Sequence, residues 1–371
     1  MAGQLTTEQH EMARVLERLL AARDDPRGFL DGGPALDAAT WRQLAKLGFL
    51  GLLLPESAGG PGGSVLDEVI LAEALGRAGA AVPVVTTAVA AAVLAAFPGG
   101  DAARSLTARL TGGGDVVAAG ISAATGFDLP IAVQDSARGP LLTGEAGDLI
   151  EGAAATVLLL PVRRDGGTAW YAVELARADA REQPSLDPSQ RLLALTLSQT
   201  PAAAVGWAPD ASPPGRIAGS LALTLLAAEA TGAAARALEL TVSWAKDREA
   251  FGHPIGYFQA IKHRLAEMLV LVENARSATY NAAWAIDAGR PDAAVAAHMA
   301  KAMATENAVR IVHDAIQSHG GIGFTWEHDL HLYLRRSKSC ALVLGDPDEH
   351  FEAVAAALLG PLPATGRAAA R

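Results

Sequence analysis

The residues with the clearest chemical character lie in a short interruption between two helical runs, Trp244–His263. This segment carries the guanidinium of Arg248, the aromatic ring of Phe251 and the side-chain amide of Gln259, separated by glycine and proline residues that favour turns. A guanidinium can donate two parallel hydrogen bonds to phosphate oxygens, and an aromatic ring offers a face to a planar group. The segment therefore predicts a binding element for a large anionic ligand with a planar part.

Long apolar helices must hold this segment in place. From about residue 216 onward the chain is rich in Ala and Leu, and Gly-Pro breaks divide it into helices without a clear polar face. Such helices are typical of a bundle interior or a subunit interface. We expect them at residues Ile217–Arg248, Gln259–Ala288, Asp292–Ser318, Glu327–Val343 and Asp346–Leu359.

A second helical region precedes the bundle at the start of the chain. Asp37 and Ser64 are predicted helix caps, and Ser64 is followed three residues later by an acid, as in a capping box. The apolar segment Gly48–Gly63 predicts a strand that ends in a glycine-rich loop. The uncharged run Ala78–Gly100 is mostly alanine, which inserts weakly into membranes, so we expect a buried helix there.

Between these regions the pattern changes to short extended runs punctuated by Gly and Pro. Six such runs between about residues 115 and 205 predict the strands of a small β-domain, and Pro209–Gly215 predicts the linker out of it. The order of helices, strands and helices indicates an α+β fold with three domains. We place them at residues 1–112, 113–210 and 211–371.

Composition excludes several classes of function. The 371 residues include 30 basic and 40 acidic residues, for a net charge of −10, and the basic residues are scattered, which argues against a nucleic-acid surface. A single cysteine, Cys340, excludes an intramolecular disulfide and a thiolate zinc site. The first residues lack the pattern of a secretory signal, so the expected location is the cytoplasm. Glu327, His328 and His331 place a carboxylate and two imidazoles close together in sequence, but two histidines three positions apart are more often part of a solvated or interface face, so no metal site is expected.

Three blocks of residues, in order along almost the whole chain, carry a family resemblance. The first begins at Pro55 and reads Pro-Glu-Ser-Ala-Gly-Gly-Pro-Gly. The second begins at Arg248 and follows the pattern Arg-x-x-Phe-Gly-x-x-Ile-x-x-x-Gln. The third begins at Gln317 and reads Gln-Ser-His-Gly-Gly. The chain resembles the acyl-CoA dehydrogenase family, which implies an N-terminal helical domain, a middle β-domain and a C-terminal four-helix bundle. It also implies α,β-dehydrogenation of an acyl-CoA, and FAD at the subunit interfaces of a dimer of dimers.

The resemblance implies which residues contact FAD. In the family, the Arg, Phe and Gln of the second block reach the diphosphate and adenosine side of a neighbouring subunit's FAD, and the Gln-x-x-Gly-Gly block approaches the same cofactor. Taken singly, these residues also fit simpler roles: a cation at a helix end, a packed ring and a turn. The expected cofactor-binding residues are Arg248, Phe251, Ile255, Phe258, Gln259, Gln317, Gly320 and Gly321.

The catalytic base of the family is missing. Dehydrogenation needs a carboxylate to take the α-proton, and in most of the family a Glu does so at the position that Leu344 occupies here. A minority of members carry the Glu at the position of Ala222. The family's flavin-contacting Thr-Glu-Pro-x-x-Gly-Ser-Asp segment is replaced by Gly120–Gly126. Glu229, two helical turns past Ala222, is the only candidate base, and an ion pair with an arginine is an equally good reading of it.

Three hypotheses follow from this incomplete site. Some actinobacterial acyl-CoA dehydrogenases that act on sterol side chains are hetero-tetramers in which one subunit lacks the base, and this chain resembles that subunit. It would then complete the FAD site of a partner. The first alternative is a self-sufficient homo-oligomeric flavoenzyme with Glu229 as an atypical base. The second is a non-catalytic scaffold or CoA-ester binder.

Overall fold

A computed structural model describes residues 5–23, 27–30, 32–209 and 213–360 of the chain. It confirms the predicted α+β architecture of a helical region, a β-region and a second helical region. The bounds of the N-terminal helices are α1 Thr7–Ala21, α2 Ala38–Lys46, α3 Val65–Ala78, α4 Val84–Ala96 and α5 Asp101–Gly112.

Helices α1, α2 and α3 begin where side chains satisfy free backbone N–H groups. The Asp37 carboxylate accepts a hydrogen bond from the backbone of Thr40, and Ser64 and Asp67 form a reciprocal capping box. The strand predicted at Gly48–Gly63 is wrong. The segment forms consecutive turns and a short 3-10 helix, Glu56–Ala58, because its glycines favour turns over an extended chain. Helix α5 was not predicted from the sequence.

Two four-stranded sheets form the middle region. Their strands are β1 Val117–Ala119, β2 Ile131–Ser136, β3 Gly139–Leu149, β4 Val157–Arg164, β5 Gly167–Glu174, β6 Asp179–Gln183, β7 Leu192–Pro201 and β8 Ala203–Pro209. One sheet has the order β1-β4-β5-β8 and the other β2-β3-β7-β6. The sequence predicted six of these strands. It missed β6, a mostly exposed edge strand rich in charged residues, and β8, which is rich in Ala, Gly and Pro.

The C-terminal region is a helical bundle built around one long helix. Its bounds are α6 Pro213–Asp247, α7 Gln259–Asp287, α8 Ala293–His319, α9 Leu330–Leu342 and α10 Pro347–Leu359. The predicted linker Pro209–Gly215 overlaps α6, which begins at Pro213 because proline fits the first turn of a helix; residues 210–212 lie outside the described residues. The domain boundaries stay a prediction.

Glycines allow α6 to pack closely against α3. A Cβ atom on Gly232 would lie 1.9 Å from the carbonyl oxygen of Glu73, and one on Gly76 would lie 2.2 Å from that of Glu229. The stretch Ile217–Asp247 is the one described helix that is long and apolar enough to cross a membrane, and 89% of its most apolar window is buried inside the fold. The run predicted as a buried helix at Ala78–Gly100 contains α4, whose residues are largely buried.

Candidate cofactor-binding site

The turn between α6 and α7 projects two of the predicted cofactor residues outward. Two short strands, Glu249–Ala250 and His253–Pro254, pair as a hairpin, and Phe251 at its tip has φ +53°. The backbone N–H of Ile255 donates to the Arg248 carbonyl oxygen at 2.7 Å, which closes the hairpin. The Phe251 side chain is 93% exposed, and Arg248 is also exposed. The hairpin therefore offers a cation and an aromatic ring to a ligand outside this chain.

The other predicted residues of this block have different positions. Gln259 is exposed at the first position of α7, whereas Ile255 and Phe258 are half-buried. The ring of Phe258 packs edge-on against Phe251, with centroids 6.1 Å apart. Ile255 and Phe258 are thus placed to support the hairpin, and Gln259 is placed to meet a ligand.

The Gln-x-x-Gly-Gly block lies at the end of α8. Gln317, Gly320 and Gly321 are exposed, and a Cβ atom on either glycine would meet no heavy atom within 4 Å. Gly320 has φ +68°, a conformation that favours glycine, and it starts the short 3-10 helix Gly320–Phe324. The backbone is therefore open to close approach from outside the chain.

A ring contact that the sequence did not predict joins the two blocks. The indole of Trp244 stacks on the imidazole of His319, with centroids 5.2 Å apart and planes inclined by 20°. The Arg248 guanidinium carbon lies 5.8 Å from the Trp244 ring centroid. We call the exposed residues of the two blocks, Arg248, Phe251, Gln259, Gln317, Gly320 and Gly321, the cofactor surface.

The cofactor surface has the chemistry that a diphosphate with attached rings requires. Among the described residues, Arg248 forms no ion pair, so its five N–H donors are available. The exposed Phe251 ring can contact a planar group, and the open backbone at Gly320 and Gly321 admits a bulky ligand. The chemistry of these residues fits FAD.

The two positions at which the resemblance places the family's base, Leu344 and Ala222, hold no ionisable group. Leu344 is half-buried, and its backbone N–H donates to the Ala123 carbonyl oxygen at 2.9 Å. Its Cδ2 atom lies 3.4 Å from the position of a Cβ atom on Gly126. Ala222 is fully buried in α6. The loop that would carry the base therefore contacts the segment that would line the flavin.

The polar groups of the replacement segment, Gly120–Gly126, form hydrogen bonds within a turn of the segment itself. The Ser122 hydroxyl accepts hydrogen bonds from the backbone N–H groups of Ala124 and Thr125, each at 3.3 Å. The backbone N–H of Gly126 donates to the Ser122 carbonyl oxygen at 2.9 Å. The Ser122 hydroxyl and these backbone N–H groups are thus engaged within the turn.

Glu229 lies at a buried junction of all three regions. It is fully buried, 2.9 Å from Arg336 Nη1, and it accepts a hydrogen bond from the Gln190 amide at 2.7 Å. Arg336 also pairs with Asp187 and donates to the Ala80 carbonyl oxygen at 3.0 Å. Burial raises the pKa of Glu229, and the nearby Arg336 opposes that shift.

A second buried acid lies next to this ion pair. Glu151 has φ +53°, and its carboxylate accepts hydrogen bonds from the backbone N–H and the hydroxyl of Thr86, at 2.8 and 2.7 Å. Burial and the neighbouring Glu229 raise the pKa of Glu151 to about 8. Glu229 as a catalytic base stays a prediction, and its ion pair would have to open before the carboxylate could reach a substrate.

The histidines considered as a metal cluster take part in ring contacts. His328 packs edge-on against His319 at 4.4 Å, and His331 does so against Trp326 at 4.5 Å. Within the described part of the chain, no group of three or more His, Cys, Asp or Glu side chains could hold a metal ion.

Comparison with known proteins gives the family. Residues 6–104 match the N-terminal domain of acyl-CoA dehydrogenase, and residues 224–359 match its C-terminal domain. Over 332 residues, the chain is 36% identical to the acyl-CoA dehydrogenase FadE34 of Mycobacterium tuberculosis, covering 88% of this chain and 43% of FadE34. It is 33% identical to the acyl-CoA dehydrogenase IpdE2 of the same organism, covering 92% of this chain and 95% of IpdE2. The chain thus spans less than half of FadE34 but nearly all of IpdE2.

Two solved structures whose names each give two proteins are similar to this chain over almost its whole length. A variant of the Tcur3481–Tcur3483 steroid ACAD is 28% identical, with a TM-score of 0.84, covering 95% of this chain and 98% of that one. The ChsE4–ChsE5 complex from Mycobacterium tuberculosis is 25% identical, with a TM-score of 0.85, covering 97% and 99%. The chain belongs to the acyl-CoA dehydrogenase family, whose members are FAD-dependent oxidoreductases acting on CH–CH bonds.

Proposed function

We propose that this chain is the subunit without a catalytic base in a hetero-oligomeric acyl-CoA dehydrogenase. It assembles in the cytoplasm with an unlike family member as an α2β2 tetramer, and its cofactor surface completes the FAD site of that partner. The reaction is the α,β-dehydrogenation of an acyl-CoA thioester.

One observation carries this proposal. Leu344 stands at the position where the family resemblance places the glutamate, and its backbone N–H donates a 2.9 Å hydrogen bond to the Ala123 carbonyl oxygen in the Ala123–Gly126 turn. An alkyl side chain cannot take the α-proton, so the base must come from elsewhere. In this proposal the outward-facing half of the flavin site consists of Arg248, which forms no ion pair among the described residues, and the open backbone of Gly320 and Gly321.

The roles of this chain's residues follow from their chemistry. When FAD is bound, it supplies a hydride acceptor for the β-carbon of the substrate, while a carboxylate takes the α-proton. In this proposal Arg248 donates hydrogen bonds to the diphosphate, Gln259 and Gln317 offer amides, and Phe251 excludes water from one side of the cofactor. The base belongs to the partner.

Two similar solved structures contain two unlike chains, which supports a partner subunit for this chain. The two-component names of the Tcur3481–Tcur3483 and ChsE4–ChsE5 structures describe pairs of unlike chains. The word steroid in the first name makes a steroid-derived acyl-CoA the first substrate class to assay. FadE34 is more than twice as long as the part of it that this chain matches.

The test is to purify the chain with its natural partner and count components. An affinity-tagged chain should recover a second acyl-CoA dehydrogenase-like protein, and native mass spectrometry should give two copies of each. We expect one FAD for each unlike pair, activity with acyl-CoA in the complex, and neither bound flavin nor activity in the chain alone.

Two results would contradict the proposal. A homo-tetramer with one FAD per chain and activity on its own would support the homo-oligomeric alternative with Glu229 as base. Flavin-free material that recovers no family member, even under gentle lysis, would support the scaffold or CoA-ester binder.

A further inference from the structure

A contact between aromatic rings joins the two parts of the cofactor surface. The Trp244 indole stacks on His319, and the Arg248 guanidinium carbon lies 5.8 Å from the centre of the same indole. Trp244 is on the last turns of α6, whereas His319 is the last residue of α8 and directly precedes Gly320. One indole therefore contacts both a residue that precedes the open glycine backbone and the cation of the surface.

His319 is fixed by contacts on its inner side. The residue is 5% exposed, and its Nδ1 atom lies 2.8 Å from the Ala315 carbonyl oxygen. A carbonyl oxygen can only accept, so Nδ1 carries the hydrogen. The ring of His328 packs edge-on 4.4 Å away. Burial lowers the pKa of His319, so the ring is neutral near pH 7. The imidazole thus provides a rigid, uncharged support for Trp244.

The supported indole restricts the motion of Arg248. An exposed arginine has many rotamers, and fixing one of them on ligand binding costs conformational entropy. In the described residues no carboxylate pairs with Arg248, so the indole is the contact that limits its position. A guanidinium held in advance against a ring loses less freedom when it binds a diphosphate.

We propose that Trp244 and His319 are positioning residues of the cofactor surface. Together they hold the Arg248 guanidinium and the backbone at Gly320 in a fixed relation, ready to receive the diphosphate of an FAD shared with the partner subunit. This inference rests on the proposed function, because FAD is the anion that function supplies.

Paired substitutions separate the ring contact from the fold. In the complex with the natural partner, FAD is removed and then titrated back, with flavin fluorescence as the readout. Trp244→Leu and His319→Leu should each weaken FAD binding by ~5–10-fold, the size of a cation–π contact of about 1–1.4 kcal/mol. Trp244→Phe and His319→Phe keep a ring and should bind nearly as well as the wild type.

Two controls show that the effect is local. Trp207→Leu removes a half-exposed indole from strand β8 in the middle region and should leave FAD affinity unchanged. ADP, which carries the diphosphate without a flavin, should lose affinity for the Trp244→Leu complex by the same factor as FAD. Thermal unfolding of each leucine variant should match that of its phenylalanine partner.

The possible failures are distinguishable. Wild-type FAD affinity in both leucine variants, with a loss in Arg248→Ala, would overturn the positioning roles and leave the proposed function intact. Equal losses in the leucine and phenylalanine variants would also overturn them, because a ring would then be irrelevant. A wild-type complex without FAD, or an Arg248→Ala variant with unchanged affinity, would refute the proposed function and this inference with it.

Discussion

Replacing Arg336 with methionine tests whether one buried guanidinium holds the three regions together. The side chain is 2% exposed and pairs with Glu229 from α6 and with Asp187 from the middle region. It also donates to the hydroxyl of Ser189 at 2.6 Å and to the carbonyl oxygen of Ala80, in the N-terminal region, at 3.0 Å. Methionine has a similar length but offers neither charge nor donor.

The expected loss follows from this geometry. Methionine fills much of the same space, so the main cost is two carboxylates buried without their cation, and removing one partner of a buried ion pair costs about 3–5 kcal/mol. A carboxyl group can take up a proton at neutral pH, which relieves part of that cost, so we expect about 3 kcal/mol. With an unfolding entropy of about 2.1 cal/mol/K per residue over 371 residues, 1 kcal/mol shifts Tm by about 1.3 °C, so Tm should fall by ~4 °C.

The assay is thermal and urea unfolding, followed by circular dichroism. Arg181→Met is the matched control: Arg181 pairs with Asp179 on the exposed strand β6, with 78% of its side chain accessible, and its loss should leave Tm unchanged. Adding Glu229→Leu to Arg336→Met should recover part of the stability, because one uncompensated carboxylate is then removed. A loss below about 1 kcal/mol in Arg336→Met would refute the reasoning.

Three further predictions concern the acids and the missing base. Glu229→Gln in the complex should lower Tm but leave kcat per FAD unchanged, whereas loss of a true base would reduce kcat by ~10²–10⁴-fold in steady-state assays. The pKa of Glu151 is raised from an ordinary 4.5 to about 8, so the folded state binds the proton more tightly than the unfolded state. The contribution of this proton to stability is present below pH 4.5 and is lost as pH rises toward 8. Glu151→Gln should therefore flatten the dependence of the unfolding free energy on pH in that range, and an unchanged slope would contradict this. Leu344→Glu should give the isolated chain neither bound FAD nor activity, because the variant still has the turn at Gly126 in place of the family's flavin-contacting segment. A flavin absorption band in the purified variant would contradict this prediction.

Much of the fold was predictable because its signals are local. The caps at Asp37 and Ser64 and the long apolar runs of the bundle correspond directly to observed helices. Strand β6 is an exposed edge strand with charged residues, so it lacks the alternation of apolar and polar residues that predicts a strand. The segment Gly48–Gly63, by contrast, has the apolar residues of a strand without being one. Its turns depend on hydrogen bonds such as Leu54 N–H to the Gly51 carbonyl oxygen, at 2.9 Å, which hydrophobicity does not encode.

The sequence predicted which residues of the candidate site carry the chemistry, but not the tertiary contacts that bring them together. Arg248 and Gly320 stand out by type and spacing, but they lie 72 positions apart in sequence, and the Trp244–His319 stack that brings them together is a tertiary contact. His319 looks unremarkable in sequence because any residue can end a helix. Only the packing of α6 against α8 gives it a place beside Trp244.

The two halves of the site differ in charge: among the described residues the catalytic half lacks an accessible carboxylate, whereas the cofactor surface keeps an exposed cation. A chain that carried a complete dehydrogenation site would keep a carboxylate near its flavin and accessible to substrate. Here Glu229 and Glu151 are buried at the junction of the three regions, and Leu344 closes onto the turn at Gly126. On the exposed side, Arg248 forms no ion pair within the part of the chain that the structure describes. A guanidinium that forms no ion pair among the described residues can bind an anion from another molecule, which is the arrangement expected of a subunit that completes its partner's cofactor site.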